Sequence, residues 1–173
     1  MVYGYVSESG RAGDAYRLLA HAFSELYGKR LPRIEKTERG KPFFPDLPEL
    51  FFSVSHTKTH VMAALGGAEC GCDIETLRPV RDRLPRRVCA AEELSQFDFF
   101  ELWVLKESYL KLLGYQPAEF RNIRFSRCAA GILTPEKDVN AAVYQVGGGR
   151  AAILCRREVP PPALFYVPPE KLS

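Results

Sequence analysis

Residues 102–114, LWVLKESYLKLLG, repeat apolar side chains at helical spacing and stop at a glycine. Extended upstream through Phe99, Phe100 and Glu101, the segment buries a stripe of Leu102, Leu105, Tyr109, Leu112 and Leu113, the pattern of an amphipathic helix closed by Gly114. The same turns align Trp103, Glu107 and Lys111, each four residues from the next, on one flank. A Glu four residues ahead of a Lys steadies a helix by about 0.2–0.5 kcal/mol, so taken singly this pair reads as a surface ion pair.

Upstream, VYGYV (2–6) has strand character, and 14–27 carries Tyr16, Leu19, Phe23, Leu26 and Tyr27 at helical spacing before Gly28 and Pro32. Pro42, Pro45 and Pro48 make ERGKPFFPDLPEL an ordered loop, since proline cannot donate inside a helix or central strand. LFFSVS, HVMAAL and ECGCDIE then read as three strands of a hairpin or meander. Alternation puts Cys70, Cys72 and Ile74 on one face of the third strand, and Gly71, Asp73 and Glu75 on the other. RRVCAAEELSQF reads as one helix or helix start, and FRNIRFSRC, AAVYQVG, RAAILCRR and ALFYVP as short strands. The result is an α+β chain of two similar halves, residues 1–80 and 81–173.

With 173 residues, 46% hydrophobic and 26% charged, the chain suits one sizeable core or two small ones sharing an interface. Apolar runs such as HVMAALGG fall short of the roughly 20 residues of a membrane span, and Met1 leads straight into VYGYV without a charged leader. We therefore expect a cytoplasmic protein without a membrane anchor. Five cysteines, an odd number with no CxxC spacing, are expected to be reduced and buried. The net charge of +3 is uneven: Arg78, Arg81, Arg83, Arg86 and Arg87 crowd one stretch. Such a patch is either a solvated surface or a means of steering an acidic partner. With no aromatic residue interleaved to stack bases, it does not point to nucleic acid.

Asp73 and Glu75, two apart on a strand, can share a hard cation through their oxygens, although paired acids on a strand are more often simply its wet face. Ser55 and His56, at a strand end, have the groups to hold a phosphate. His56 and His60 in HTKTH lack the third protein ligand that zinc requires.

Together, in chain order, GKP (40–42), FSVSH (52–56), GCDIE (71–75) and WVLKESYLK (103–111) resemble the 4′-phosphopantetheinyl transferase superfamily, particularly its surfactin-synthetase-activating (Sfp-type) branch. The resemblance runs from about residue 14 to residue 114 and matches the GKP, FxxSH, GxDxE and WxxKExxxK patterns at every fixed position. It implies a pseudo-dimer of two similar α+β halves acting as a monomer. It also implies transfer of the phosphopantetheine arm of coenzyme A to a serine of an acidic acyl or peptidyl carrier protein, releasing 3′,5′-ADP.

By the same likeness Asp73, Glu75 and Glu107 hold magnesium, Lys111 neutralises the leaving phosphate, and Lys41, Pro42, Ser55 and His56 grip the nucleotide. Glu93 stands where the branch has a basic-acting glutamate, with Glu107 and Glu92 as alternatives. The sequence departs from the branch in its short SESGRAG segment before Asp14, beside which Arg11 and Arg17 match no motif, and in Ser53, where Asn is usual. The rival reading is a non-catalytic relative that binds coenzyme A or the carrier.

Overall fold

The protein is described by a computed structural model covering residues 1–11, 13–81, 83–114 and 117–172. Strand β1 (Val2–Ser7) leads to helix α1 (Asp14–Tyr27), which ends as expected at Gly28 in the left-handed conformation (φ 65°). Two-residue strands β2 (Glu35–Lys36) and β3 (Pro42–Phe43) pair across the GKP loop, the only regular structure in the proline-rich segment. Then come β4 (Phe51–His56), β5 (Val61–Gly66) and β6 (Cys70–Thr76). The second half holds α2 (Arg83–Val88), α3 (Ala91–Leu94), α4 (Phe99–Leu113) and a 3₁₀ turn, Pro117–Asn122. Strands β7 (Ser126–Cys128), β8 (Gly131–Leu133), β9 (Val139–Val146), β10 (Gly149–Arg156) and β11 (Phe165–Tyr166) follow, and a 3₁₀ turn, Pro169–Leu172, closes the described chain.

Two sheets stack face to face, with order β11-β1-β5-β4 in one and β6-β10-β9 in the other. Alternation along the strands builds three cores. Val2, Val6, Met62 and Ala64 of the first sheet meet Cys70, Cys72, Ile74, Ala151, Ile153 and Cys155 of the second. The outer face of the first sheet packs on α1 through Val61, Ala63, Leu65, Leu18, Leu19 and Phe23. The outer face of the second packs on α4, where Leu102, Leu105, Tyr109 and Leu112 meet Ala152 and Leu154. The layer order is helix, sheet, sheet, helix.

Three expectations change. The meander ends after two strands, because β6 leaves β5 and pairs antiparallel with β10; its apolar face covers the first sheet instead of extending it. The helix expected around 86–97 breaks at Cys89 and Ala90, where the Glu93 carboxylate bonds back to the Ala90 N–H at 2.8 Å and caps α3. FRN, read as strand, lies in the 3₁₀ turn, while β8 was not foreseen. Of the cysteines, four are buried as expected and Cys128 is exposed.

Helix α4 rests directly on β6 at Gly71. A Cβ there would lie 2.0 Å from the Ser108 carbonyl oxygen and 2.6 Å from the Leu112 nitrogen, both backbone atoms that cannot turn aside. Gly71→Ala therefore has to lift α4 off the sheet. We expect it to cost about 1–3 kcal/mol in urea unfolding; unchanged stability would show that the helix does not sit this close.

Candidate active site

The second sheet meets the first along β4 and β6 through side chains. Ser53 Oγ accepts from the Cys72 N–H at 3.0 Å, and Ser55 Oγ from the Ile74 N–H at 3.4 Å. Both serines are buried, so these bonds satisfy hydroxyls that would otherwise be costly there. Ser55 Oγ in turn donates to Asp73 Oδ1 at 2.6 Å.

Lys111, from the last turn of α4, donates to the same Asp73 oxygen at 2.7 Å and to the Val54 carbonyl at 3.4 Å. It thus reaches across to the strands, and the ion pair along the helix with Glu107 gives way to one with Asp73. Burial by itself pushes the Lys111 ammonium down, but Asp73, with Cys72 and Glu107, more than reverses this and holds it above the ordinary lysine range. The other Asp73 oxygen, Oδ2, is buried and has no hydrogen-bond partner among the described residues. Glu107 has its carboxyl raised, first by burial and then by the negative charges of Asp73 and Glu75.

An orphaned carboxylate oxygen beside a second carboxyl whose proton affinity is raised by its neighbours fits a hard divalent cation. Glu75 is turned away to Arg78, at 2.6 Å. Among the described residues, no group of three or more His, Cys, Asp or Glu side chains is gathered closely enough to hold a metal ion. Asp73 is paired with Lys111, and Glu75 with Arg78.

A cleft of about 260 Å³ opens beside this point, lined by Lys41, Pro42 and Lys111 with Ser53, Val54 and Tyr16. Lys41 Nζ donates to the Leu112 carbonyl at 2.5 Å, and burial holds its ammonium below the usual range. His56 ends β4 exposed to solvent, and it does not line this cleft. Of the two basic residues near the short first loop, Arg17 is committed to Asp14 at 2.6 Å. On the other side of Glu75, Arg78, Arg81, Arg83 and Arg87 line an open groove of about 840 Å³ with Phe99 and Trp103. Trp103 packs its ring 5.0 Å from Phe120 and 5.7 Å from Phe99.

Glu93 lies apart from these groups, nearly fully buried. Its Oε2 accepts from Ala90 N–H, Lys106 Nζ and Arg124, and its Oε1 from Phe125 N–H. Burial alone would raise this carboxyl, but the bonds from Ala90, Lys106 and Phe125 outweigh it and hold it below the ordinary range. Such a saturated carboxylate is a poor proton acceptor. Its partner Lys106 is the residue that sequence reasoning passed over. Fully buried, its ammonium donates to Glu93 at 2.9 Å, to the Val88 carbonyl at 3.0 Å and to the Phe120 carbonyl at 3.2 Å. The signal was available: a lysine inside a leucine stripe needs a buried counter-charge.

The sequence matches the 4′-phosphopantetheinyl transferase superfamily over residues 69–153, the span that holds Asp73, Glu75, Glu107 and Lys111. Over that span the chain is similar to members of that superfamily. Its likeness is to Sfp-type members. It is 35% identical over 92 residues to the 4′-phosphopantetheinyl transferase Sfp of Bacillus subtilis, covering 47% of this chain and 41% of that protein. It is 33% identical over 109 residues to the 4′-phosphopantetheinyl transferase psf-1 of Bacillus pumilus, covering 56% and 47%. The 4′-phosphopantetheinyl transferase AcpT of Escherichia coli is 33% identical over 111 residues, covering 56% and 54%. The chain thus spans about half the length of the curated relatives it matches. No helix among the described residues is long and apolar enough to cross a membrane.

Removing Lys106 leaves the buried Glu93 with the peripheral Arg124 as its one charged partner among the described residues. Lys106→Met is expected to lower stability to urea by about 3–5 kcal/mol, and Lys111→Met, whose side chain is 31% exposed, by clearly less. Equal losses would contradict this division between an enclosed and a partly exposed lysine.

Proposed function

We propose that this protein is an active phosphopantetheinyl transferase, moving the 4′-phosphopantetheine arm of coenzyme A to a serine hydroxyl of an acyl or peptidyl carrier protein. The observation that carries the reading is the meeting of Asp73, Glu107 and Lys111 across β6 and α4, with a carboxylate oxygen that has no donor among the described residues. Its architecture is that of a pseudo-dimer working as a monomer. The halves 1–80 and 81–173 each supply one helix-covered sheet, and each lends a strand to the other's sheet: β6 to β10, and β11 to β1.

Asp73 and Glu107 are the ligands we assign to magnesium, with Glu75 joining when it leaves Arg78. When bound, the ion draws off charge from the pyrophosphate of coenzyme A. Lys111, kept charged by Asp73, neutralises the leaving phosphate of 3′,5′-ADP, while Lys41 and Pro42 hold the nucleotide end in the adjoining cleft. Ser55 orients Asp73, and His56, at the mouth of the β4–β5 loop, is left as a contact for the nucleotide phosphates. The carrier serine attacks the phosphorus bearing pantetheine, the bond to the 3′,5′-ADP phosphate oxygen breaks, and the serine proton passes to a carboxylate. We give that proton to Glu107 in preference to Glu93, whose carboxylate is already saturated by four donors. The groove of Arg78, Arg81, Arg83 and Arg87 receives the acidic carrier, with Phe99 and Trp103 as its apolar wall.

Incubated with coenzyme A, magnesium and an apo carrier, the protein is expected to add one phosphopantetheine to the carrier by intact mass. Glu107→Gln and Lys111→Met should each reduce the rate by about 10²-fold or more. No mass gain with any of several carriers, from a folded protein, would leave the non-catalytic binding reading standing.

A second expectation concerns pH. A carboxyl raised in the folded state stabilises the fold below its ordinary range, and that contribution is lost as pH rises through its folded range. For Glu107 the loss falls above the usual glutamate range. Magnesium should therefore raise the melting temperature near neutrality and have little effect in acid, and Glu107→Gln should shrink the difference. A magnesium shift identical at both pH values would contradict the assignment.

A further inference from the structure

The ladder between β6 and β10 sets Cys70 directly opposite Cys155. The phase of its hydrogen bonds follows from its two ends. Arg156 N–H donates to the Glu69 carbonyl and Leu77 N–H to the Gly148 carbonyl, each at 2.9 Å. Those end pairs continue the same register and are of the hydrogen-bonded kind. Alternation along an antiparallel ladder then makes Cys70–Cys155 a non-hydrogen-bonded pair. In such pairs the Cα atoms approach to about 4.5 Å and the side chains are closest, within the roughly 4.4–6.8 Å that a disulfide spans.

Both thiols point into the same inter-sheet core, and both are fully buried. The third thiol on that face, Cys72, is engaged elsewhere, donating to the Ser53 carbonyl at 3.2 Å. Of the other two cysteines, Cys89 is buried in the core beside α4 and Cys128 is exposed on β7.

We propose that Cys70 and Cys155 are a modification site, a dithiol that closes to a reversible cross-strand disulfide on two-electron oxidation. Two S–H bonds break and one S–S bond forms, and two electrons and two protons pass to the oxidant. A small dialkyl disulfide leaves as two thiols, and an azodicarboxamide leaves as the hydrazine. The bond ties β6, the strand bearing Asp73 and Glu75, to the centre of its own sheet. An oxidant reaches the thiols only when β6, which is held to β4 by the two serine bonds and by no ladder among the described residues, parts from it. Burial keeps both thiols protonated at ordinary pH, Cys155 being pushed up to about 12, so closure is slow and the closed bond is shielded from reductants. This inference does not depend on the transferase reading.

The test is prolonged treatment of the full chain with the azodicarboxamide diamide, alkylation of remaining thiols, and peptide mapping. The expected product has a linkage between the peptides holding Cys70 and Cys155, reverses with dithiothreitol, and melts several degrees higher than the reduced protein, since the bond closes a long loop. A Cys128→Ser chain gives the same internal linkage without intermolecular dimers, and Cys155→Ser abolishes it. Complete consumption of Cys128 with Cys70 and Cys155 still free, or a linkage that takes Cys72 in place of either, would overturn the proposal.

Discussion

Strand β6 is gripped from three directions, and the remainder of the molecule is arranged around that grip. Its backbone pairs with β10, its amides are caught by two buried serines of β4, and α4 lies against it where Gly71 offers no side chain. Each hold excludes alternatives. The ladder sends the strand out of the first sheet, the serines keep the two sheets in register without a shared backbone ladder, and the glycine fixes the height of the helix. Asp73 is consequently delivered to a point that Ser55 from one layer and Lys111 from another can both reach. The seam of the fold and the candidate site are one place.

Within one helix, two lysines five residues apart show how environment separates roles. Lys106 is fully enclosed, and its ammonium gathers the end of α2, α3 and the 3₁₀ turn through three acceptors. A charge so completely satisfied organises structure and has no capacity left for a ligand. Lys111 is partly open, shares Asp73 with a serine, and borders the cleft that also holds Lys41. Its charge is only partly enclosed, held by the Asp73 carboxylate at 2.7 Å and the Val54 carbonyl at 3.4 Å. The same contrast separates the two carboxylates: Glu93 is saturated and held low, while Glu107 is raised by burial and by neighbouring acids.

Much of this was legible beforehand because local periodicity carries it. The stripe from Leu102 to Leu113 located α4, and alternation in CGCDIE separated the core cysteines from Asp73 and Glu75. The order of the four motifs pointed to the family. Sequence periodicity gives a strand's faces but not its partners, so the departure of β6 from β5 to β10, 85 residues apart in the Cys70–Cys155 pair, was out of reach. Side-chain commitments were hidden for the same reason. Lys111 bonds Asp73 at a separation of 38 residues, and Glu93 meets Phe125 at 32. Lys106 could have been found, since a charge among leucines announces a buried partner even when it does not name it.

The central claim is that Asp73, with Glu107, forms a divalent-cation site on which coenzyme A binding depends. Calorimetric titration of coenzyme A into the protein, with magnesium and with chelator, measures this directly. The account predicts binding that requires magnesium and is lost in Asp73→Asn while the fold persists. Equal affinity without the ion, or an Asp73→Asn protein that binds as the parent does, would contradict it.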